Sequence, residues 1–321
     1  MIGGDKYMHV QYEKNGSQLP QIGATSISRQ GNVTEIIEYL KKPMPPKITK
    51  LSNDLYMDEF GEVHEFQHSD NRSQNLCGVR KTLKELRSII NANCTDPENC
   101  IFWTLTYREN MQDHKRLYSD FDAYKKRLQR YFASKGIVRP EYIAVSEPQN
   151  RGAWHLHILF LWPQKRPRIE FSEVIPLWPY GSTRVEYVRN CDNMGAYFCA
   201  YLADLPLEDL QSVPDQERSE MQNCEIVEKE IPDPLDQEKT IKKKFVKGAR
   251  LFWYPPGMNL YRTSRGIVRP EKYWSPALTE KEKASYGQLT YSCALALVGD
   301  DGKITNSLCK SYYNSKRQKK Q

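Results

Sequence analysis

Ala144 to Trp162 reads AVSEPQNRGAWHLHILFLW, and the period of its side chains decides how the chain folds. Two apolar runs, EYIAVSE ending at Glu147 and the run from Trp154 to Trp162, flank Pro148 to Gly152, which has the composition of a hairpin turn. Successive side chains of a strand point to opposite faces. His155 and His157 therefore share one face, about 6.6 Å apart, while Leu156 turns to the other. The hairpin carries Glu147 alongside them. Two neutral imidazole nitrogens and one carboxylate suit a divalent metal and leave coordination positions open, as catalysis requires and a closed structural site does not.

Working outward, Cys100 to Tyr107 (CIFWTLTY) reads as a further strand, with Thr104 and Thr106 on one face, either turned toward a ligand or filling the sheet. From Lys115 to Lys135, Leu117, Phe121, Tyr124, Leu128, Tyr131 and Phe132 recur at helical spacing, with basic residues, among them Lys125, Lys126 and Arg130, on the remaining face. Asn193 to Asp204 (NMGAYFCAYLAD) reads as a helix on which Tyr197 and Tyr201, four apart, share a face. A tyrosine hydroxyl presented to a metal-bound phosphate can act as a covalent nucleophile. Further strands are expected at 141–147, 183–189 and 250–254, with a short helix near 170–178. This order predicts an α+β sandwich around an antiparallel sheet.

A strand ending in TLTY, a His-hydrophobic-His strand with an acid eight residues before it, and a helix with Tyr-x-x-x-Tyr resemble, in that order, the HUH endonucleases. SEPQNRGAWHLHILF and RLFWYPPGMNLYRTSRGIVRP are similar to the replication-associated branch of filamentous phages and plasmids, and the resemblance spans Leu83 to Pro270. It implies a ferredoxin-like domain with a central five-stranded antiparallel sheet, helices packed on it, and both histidines on a central strand. It also implies a rolling-circle replication initiator. Such an enzyme, with Mg²⁺ or Mn²⁺ held by His155, His157 and Glu147, nicks single-stranded or hairpin DNA at an origin through a 5′-phosphotyrosine, in company with host helicase and polymerase in a bacterial cytoplasm. Tyr197 matches the leading tyrosine of the family motif. Tyr201 is either a second nucleophile or an aromatic packed on the sheet. Many relatives carry a lysine three residues after the first tyrosine, and here that position is Ala200. A relaxase or transposase would use the same chemistry, and an origin-binding protein that never cuts would need only the binding.

The 321 residues carry a net charge of +7, which favours a polyanionic partner. No apolar run approaches the length that crosses a bilayer, and the first residues show no apolar signal segment, so no membrane is expected. Eight cysteines, none in a CxxC spacing, read as reduced thiols. Between Lys242 and Arg269 basic residues interleave with aromatics. Lys244, Arg250, Trp253, Arg262 and Arg265 are expected to line a single-strand groove, the alternative being a buried strand LFWY with its flanking charges in water. The expected organisation is an N-terminal extension over 1–75 with NVTEIIEYLKK as a short amphipathic helix, a nicking core over 76–204, an acidic flexible insertion over 205–240, a basic and aromatic strand region over 241–275 that completes the core, and a C-terminal extension over 276–321 with a basic tail. His64 and His68 read as surface residues without an acidic partner.

Overall fold

The computed structural model describes residues 9–14, 22–44, 47–66, 68, 71–188, 193–199, 202–221, 224–232, 240–298 and 303–317. The chain divides into two compact units, Ser69–Val268, and Met1–His68 together with Arg269–Gln321. Among the described residues no helix is long and apolar enough to cross a membrane.

In the Ser69–Val268 unit the elements follow the expected periods. Helix α1 spans Leu76–Asn93, capped by the Asn75 side chain on the Gly78 N–H. Strand β1 (Cys100–Tyr107) leads to α2 (His114–Ser134), which the Asp113 carboxylate caps on Lys115 and Arg116. Strands β2 (Glu141–Pro148) and β3 (Trp154–Leu161) form the hairpin, closed by the Gly152 N–H on the Gln149 carbonyl with Gly152 at φ +81°. After them come β4 (Gly181–Tyr187), α3 (Met194–Cys199) and β5 (Tyr261–Thr263). These strands make one five-stranded sheet in the order β4-β1-β3-β2-β5, every neighbouring pair antiparallel.

Alternation divides the side chains of this sheet between two cores. Trp103, Leu105, Leu156, Ile158 and Phe160 pack with Leu117, Phe121, Tyr124, Leu128 and Phe132 of α2. On the other face Ile143, Val145, Leu159 and Leu161 pack with Leu86, Ile89 and Ile90 of α1 and with Met194 of α3. Burying each such aliphatic side chain is worth about 1.5–3 kcal/mol, so the apolar end of this second face holds α1 and α3 and leaves its other end free to be polar. That end carries Thr104, Thr106, Glu147, His155 and His157, which the register sets side by side.

Two expectations for this unit are corrected. The LFWY segment is no strand: Ala249–Trp253 is a 3-10 turn that begins after Gly248, at φ +72°, and Tyr254 behind it donates its hydroxyl to the Ser146 carbonyl at 2.7 Å. The acidic stretch after 205 is folded wherever it is described. Leu205–Pro206, Thr240–Val246 and Ile226–Pro232 form a three-stranded antiparallel sheet over a small core of Leu205, Val213, Met221, Val246 and Ala249. Its carboxylates pair with the lysines of the basic strand. Lys243 reaches Glu208 at 2.6 Å and Lys247 reaches Glu225 at 2.6 Å; such exposed pairs contribute under about 1 kcal/mol each, so the apolar core does most of the holding.

In the other unit, segments from both ends of the chain weave a six-stranded antiparallel sheet in the order His9–Lys14, Gln288–Val298, Ile304–Asn314, Val33–Tyr39, Ala24–Gln30, Lys272–Ser275. The two expected extensions are thus one folded body. The NVTEIIEYLKK segment is a strand, not a helix: Gly31, at φ +60°, and Asn32 turn the chain so that Gln30 pairs with Val33. Its acidic residues mimic helical spacing but are buried in the sheet, where Lys283 meets Glu38 at 2.8 Å and Lys310 approaches Glu35 at 3.4 Å. His64 and His68 do have acidic partners, Asp58 at 2.9 Å and Asp54 at 2.8 Å.

The position of α3 depends on one missing side chain. Gly195 donates its N–H to Asn91 Oδ1 at 2.8 Å, and a Cβ there would stand 2.3 Å from the Arg87 carbonyl oxygen. Gly195→Ala is expected to destabilise the protein by about 1–3 kcal/mol through this overpacking. Burial pushes the Cys199 thiol on the same helix up to about 12, so iodoacetamide under mildly alkaline conditions should label exposed Cys77 and spare Cys199 in the wild type, and reach Cys199 in Gly195→Ala. Equal labelling of Cys77 and Cys199 in the native wild type would show that α3 is not docked as described.

Candidate metal centre and its cavity

Glu147 and His155 are direct cross-strand partners at the open end of the sheet, and His157 lies opposite Thr104 of β1. His157 Nε2 sits 2.5 Å from Glu147 Oε2, and its Nδ1 lies 3.1 Å from Thr104 Oγ1. The Phe102 ring stacks on the imidazole with centroids 5.6 Å apart and planes 11° apart, fixing its plane. An ionised carboxylate only accepts, so with Glu147 ionised Nε2–H donates to Glu147 and Nδ1 accepts from the Thr104 hydroxyl. That hydroxyl can also rotate to accept from Nδ1–H, which leaves the Nε2 lone pair open. Thr104 therefore serves either tautomer, whereas Thr106 spends its hydroxyl on Ser182 Oγ at 2.8 Å.

The His155 ring lies 6.1 Å from that of His157, and its Nε2 is buried with no hydrogen-bond partner. Burial pushes His155 down to about 3, helped by His157 and Arg151 nearby, and pushes His157 down to about 4 against the opposing pull of Glu186. Both imidazoles are consequently neutral at neutral pH, the form that ligates a metal. An orphaned buried nitrogen, a second neutral imidazole and a carboxylate on one sheet face fit a divalent cation. Among the described residues the tight donor trio within 4.8 Å is a different one, Asp58, Glu62 and His64, so His155 must close on the other two to complete a site. The Asp58 trio is a turn, its carboxylate accepting from the Phe60 and Glu62 N–H groups at 2.9 Å.

A cavity of about 450 Å³ opens over the histidines. One wall is the hairpin, Gln149 to Arg151, and the other is Asp209 and Ser212 from the 3-10 turn Leu207–Ser212. Neither Asp209 nor Ser212 was legible as a site residue, because the surrounding acidic run reads as loop. Tyr197 lies on α3, which packs on the histidine-bearing face of the sheet; its side chain, like Ala200 and Tyr201, is outside the described residues.

The expected DNA groove is not assembled as a row. Arg250 does line the cavity, yet it is buried, with Nη1 ion-paired to Glu147 Oε1. Arg262 bonds Asp122 at 3.1 Å and lies over Tyr118. Trp253 packs against the small core beside the three-stranded sheet, and Lys244 and Arg265 are exposed on separate segments. The interleaved pattern arises because the segment serves three structural tasks in turn: a strand of the small sheet, a buried turn and the edge strand β5.

Residues 100–205 match a family model described as a replication-associated protein of the ORF2 type. The matched stretch is that of a replication-associated protein. It takes in the site residues on β1, β2 and β3 together with α3, and it stops before Arg250. No curated protein and no solved structure matches the chain.

The hydrogen-bond pattern gives a direct test. In metal-free protein, nitrogen-15 spectra at neutral pH should show His157 as the Nε2–H tautomer. Thr104→Val, which keeps the shape and deletes the hydroxyl, should cost about 1 kcal/mol and shift the Nδ1 resonance, whereas Thr104→Ser should preserve both. An Nδ1–H tautomer unaffected by Thr104→Val would contradict the pairing.

Proposed function

We propose that this protein is a rolling-circle replication initiator that nicks one strand of DNA through Tyr197, with His155, His157 and Glu147 holding Mg²⁺ or Mn²⁺. The observation that carries the reading is the juxtaposition, on one face of β2 and β3, of two neutral histidines and a carboxylate beneath a cavity, inside the stretch that matches replication-associated proteins. The order β4-β1-β3-β2 and the βαββαβ run of the elements support a ferredoxin-like core with β5 added at its edge. Histidine ligands favour Mn²⁺ beside Mg²⁺, which prefers oxygen donors.

When bound, the ion would polarise the scissile phosphate and stabilise charge developing on its oxygens. The protein's own residues supply the rest. Thr104 and Phe102 hold the His157 ring in plane, and Glu147 remains an anion in contact with it. Tyr197 attacks phosphorus through its phenolic oxygen as the bond to the 3′ oxygen breaks, and the phenol proton passes by way of solvent to the leaving 3′ oxygen. A 5′-phosphotyrosine and a free 3′ hydroxyl result. The cavity admits an unpaired backbone, so the substrate is single-stranded DNA or a hairpin extruded at an origin. The open hydroxyl would then serve the host helicase and polymerase.

Short labelled oligonucleotides tiled across the origin of the element that encodes the protein, incubated with Mn²⁺, should give a protein-linked product on a denaturing gel. EDTA, Tyr197→Phe and the His155→Ala/His157→Ala pair should each abolish it. Tyr197→Phe should leave DNA binding intact, and an adduct of normal yield in that variant would refute the assignment of the nucleophile.

A further inference from the structure

Among the described residues, Arg250 is the cation whose guanidinium ion-pairs with a candidate metal ligand, and nothing about the basic stretch in which it stands announces that role. Its backbone is fixed from three sides. The Arg250 N–H donates to the Ala203 carbonyl at 3.0 Å, Gly248 donates to Asp204 Oδ1 at 2.7 Å, and Tyr254 ties the end of the turn to Ser146 of β2. From that turn the side chain runs inward and is only 10% exposed. Nη1 donates to the Pro148 carbonyl at 3.1 Å and makes the ion pair with Glu147 Oε1.

The two oxygens of Glu147 are thus divided between partners, Oε1 to Arg250 and Oε2 to His157. A glutamate has three side-chain torsions, and a carboxylate gripped at one oxygen by a guanidinium that is itself anchored elsewhere can present only the other oxygen to the histidines. We propose that Arg250 is a positioning residue for the metal site, holding Glu147 so that Oε2 faces His155 and His157. Removal of such an outer partner of a metal ligand typically weakens binding about 10–100-fold. The burial of Arg250 separates this role from phosphate neutralisation at the surface, for which it would have to be exposed. Because Arg250 follows directly on the three-stranded sheet and lies beyond residue 205, the small sheet's second task is to supply this cation to a site built by β1, β2 and β3.

The inference rests on the metal reading above, and the experiment separates the two. Mn²⁺ binding is measured by calorimetry on the full chain without DNA. Arg250→Gln should weaken Mn²⁺ on the order of 10-fold or more, Arg250→Lys should recover part of the loss, and Arg250→Gln added to Glu147→Gln should weaken binding no further. In metal-free protein the losses in melting temperature of Arg250→Gln and Glu147→Gln should be less than additive in the double variant. Wild-type binding with Arg250→Gln unchanged or tighter overturns the positioning role alone, as do strictly additive melting losses. Wild-type protein that binds no Mn²⁺ overturns the metal reading and this inference with it.

Discussion

Strand β3 is hydrogen-bonded on both sides, to β1 and to β2, and a slip of one residue would send His155 and His157 into the α2 core and Leu156 and Ile158 into the cavity. Trp103, Leu156, Ile158 and Phe160 on one face, and Leu159 and Leu161 on the other, make that slip prohibitive. The polar end of the sheet is therefore specified by the apolar packing around it. Glu147, His155, His157 and Thr104 converge because their neighbours in the chain must be buried, and none of the four has to supply the energy that brings them together.

Within that frame the electrostatics are local. Burial keeps both imidazoles neutral, Thr104 can serve either tautomer of His157, and the carboxylate beside them is neutralised by a guanidinium that belongs to a later part of the chain. The same face carries α3, seated by Gly195 on α1, so the tyrosine helix and the histidines share one support. A site assembled on strands and a packed helix can hold donor groups to the tolerance that metal ligation demands.

Much of this was legible in the sequence wherever a single period rules a segment. The alternation in AVSEPQNRGAWHLHILFLW gives both strands, their hairpin and the shared face of the histidines, and the helical spacing from Leu117 to Phe132 gives α2. Segments in which two periods compete misled. In NVTEIIEYLKK the acids fall at helical spacing, yet Glu35 and Glu38 are buried in a sheet by Lys310 and Lys283 from the far end of the chain, and the Gly31-Asn32 turn was the local signal against a helix. The basic run at 242–247 resembles a phosphate groove when read alone, but its carboxylate partners lie in the acidic run before it. Arg250 could not be read as a partner of Glu147, because long-range pairing through a 3-10 turn leaves no period behind.

The most direct test of the account is pulsed electron paramagnetic resonance on Mn²⁺ bound to the full chain. Two directly coordinated histidine nitrogens should appear in the wild type, one should be lost in His155→Ala and one in His157→Ala. Mn²⁺ with no nitrogen coupling, or coupling that survives both substitutions together, would place the ion elsewhere and contradict the central claim.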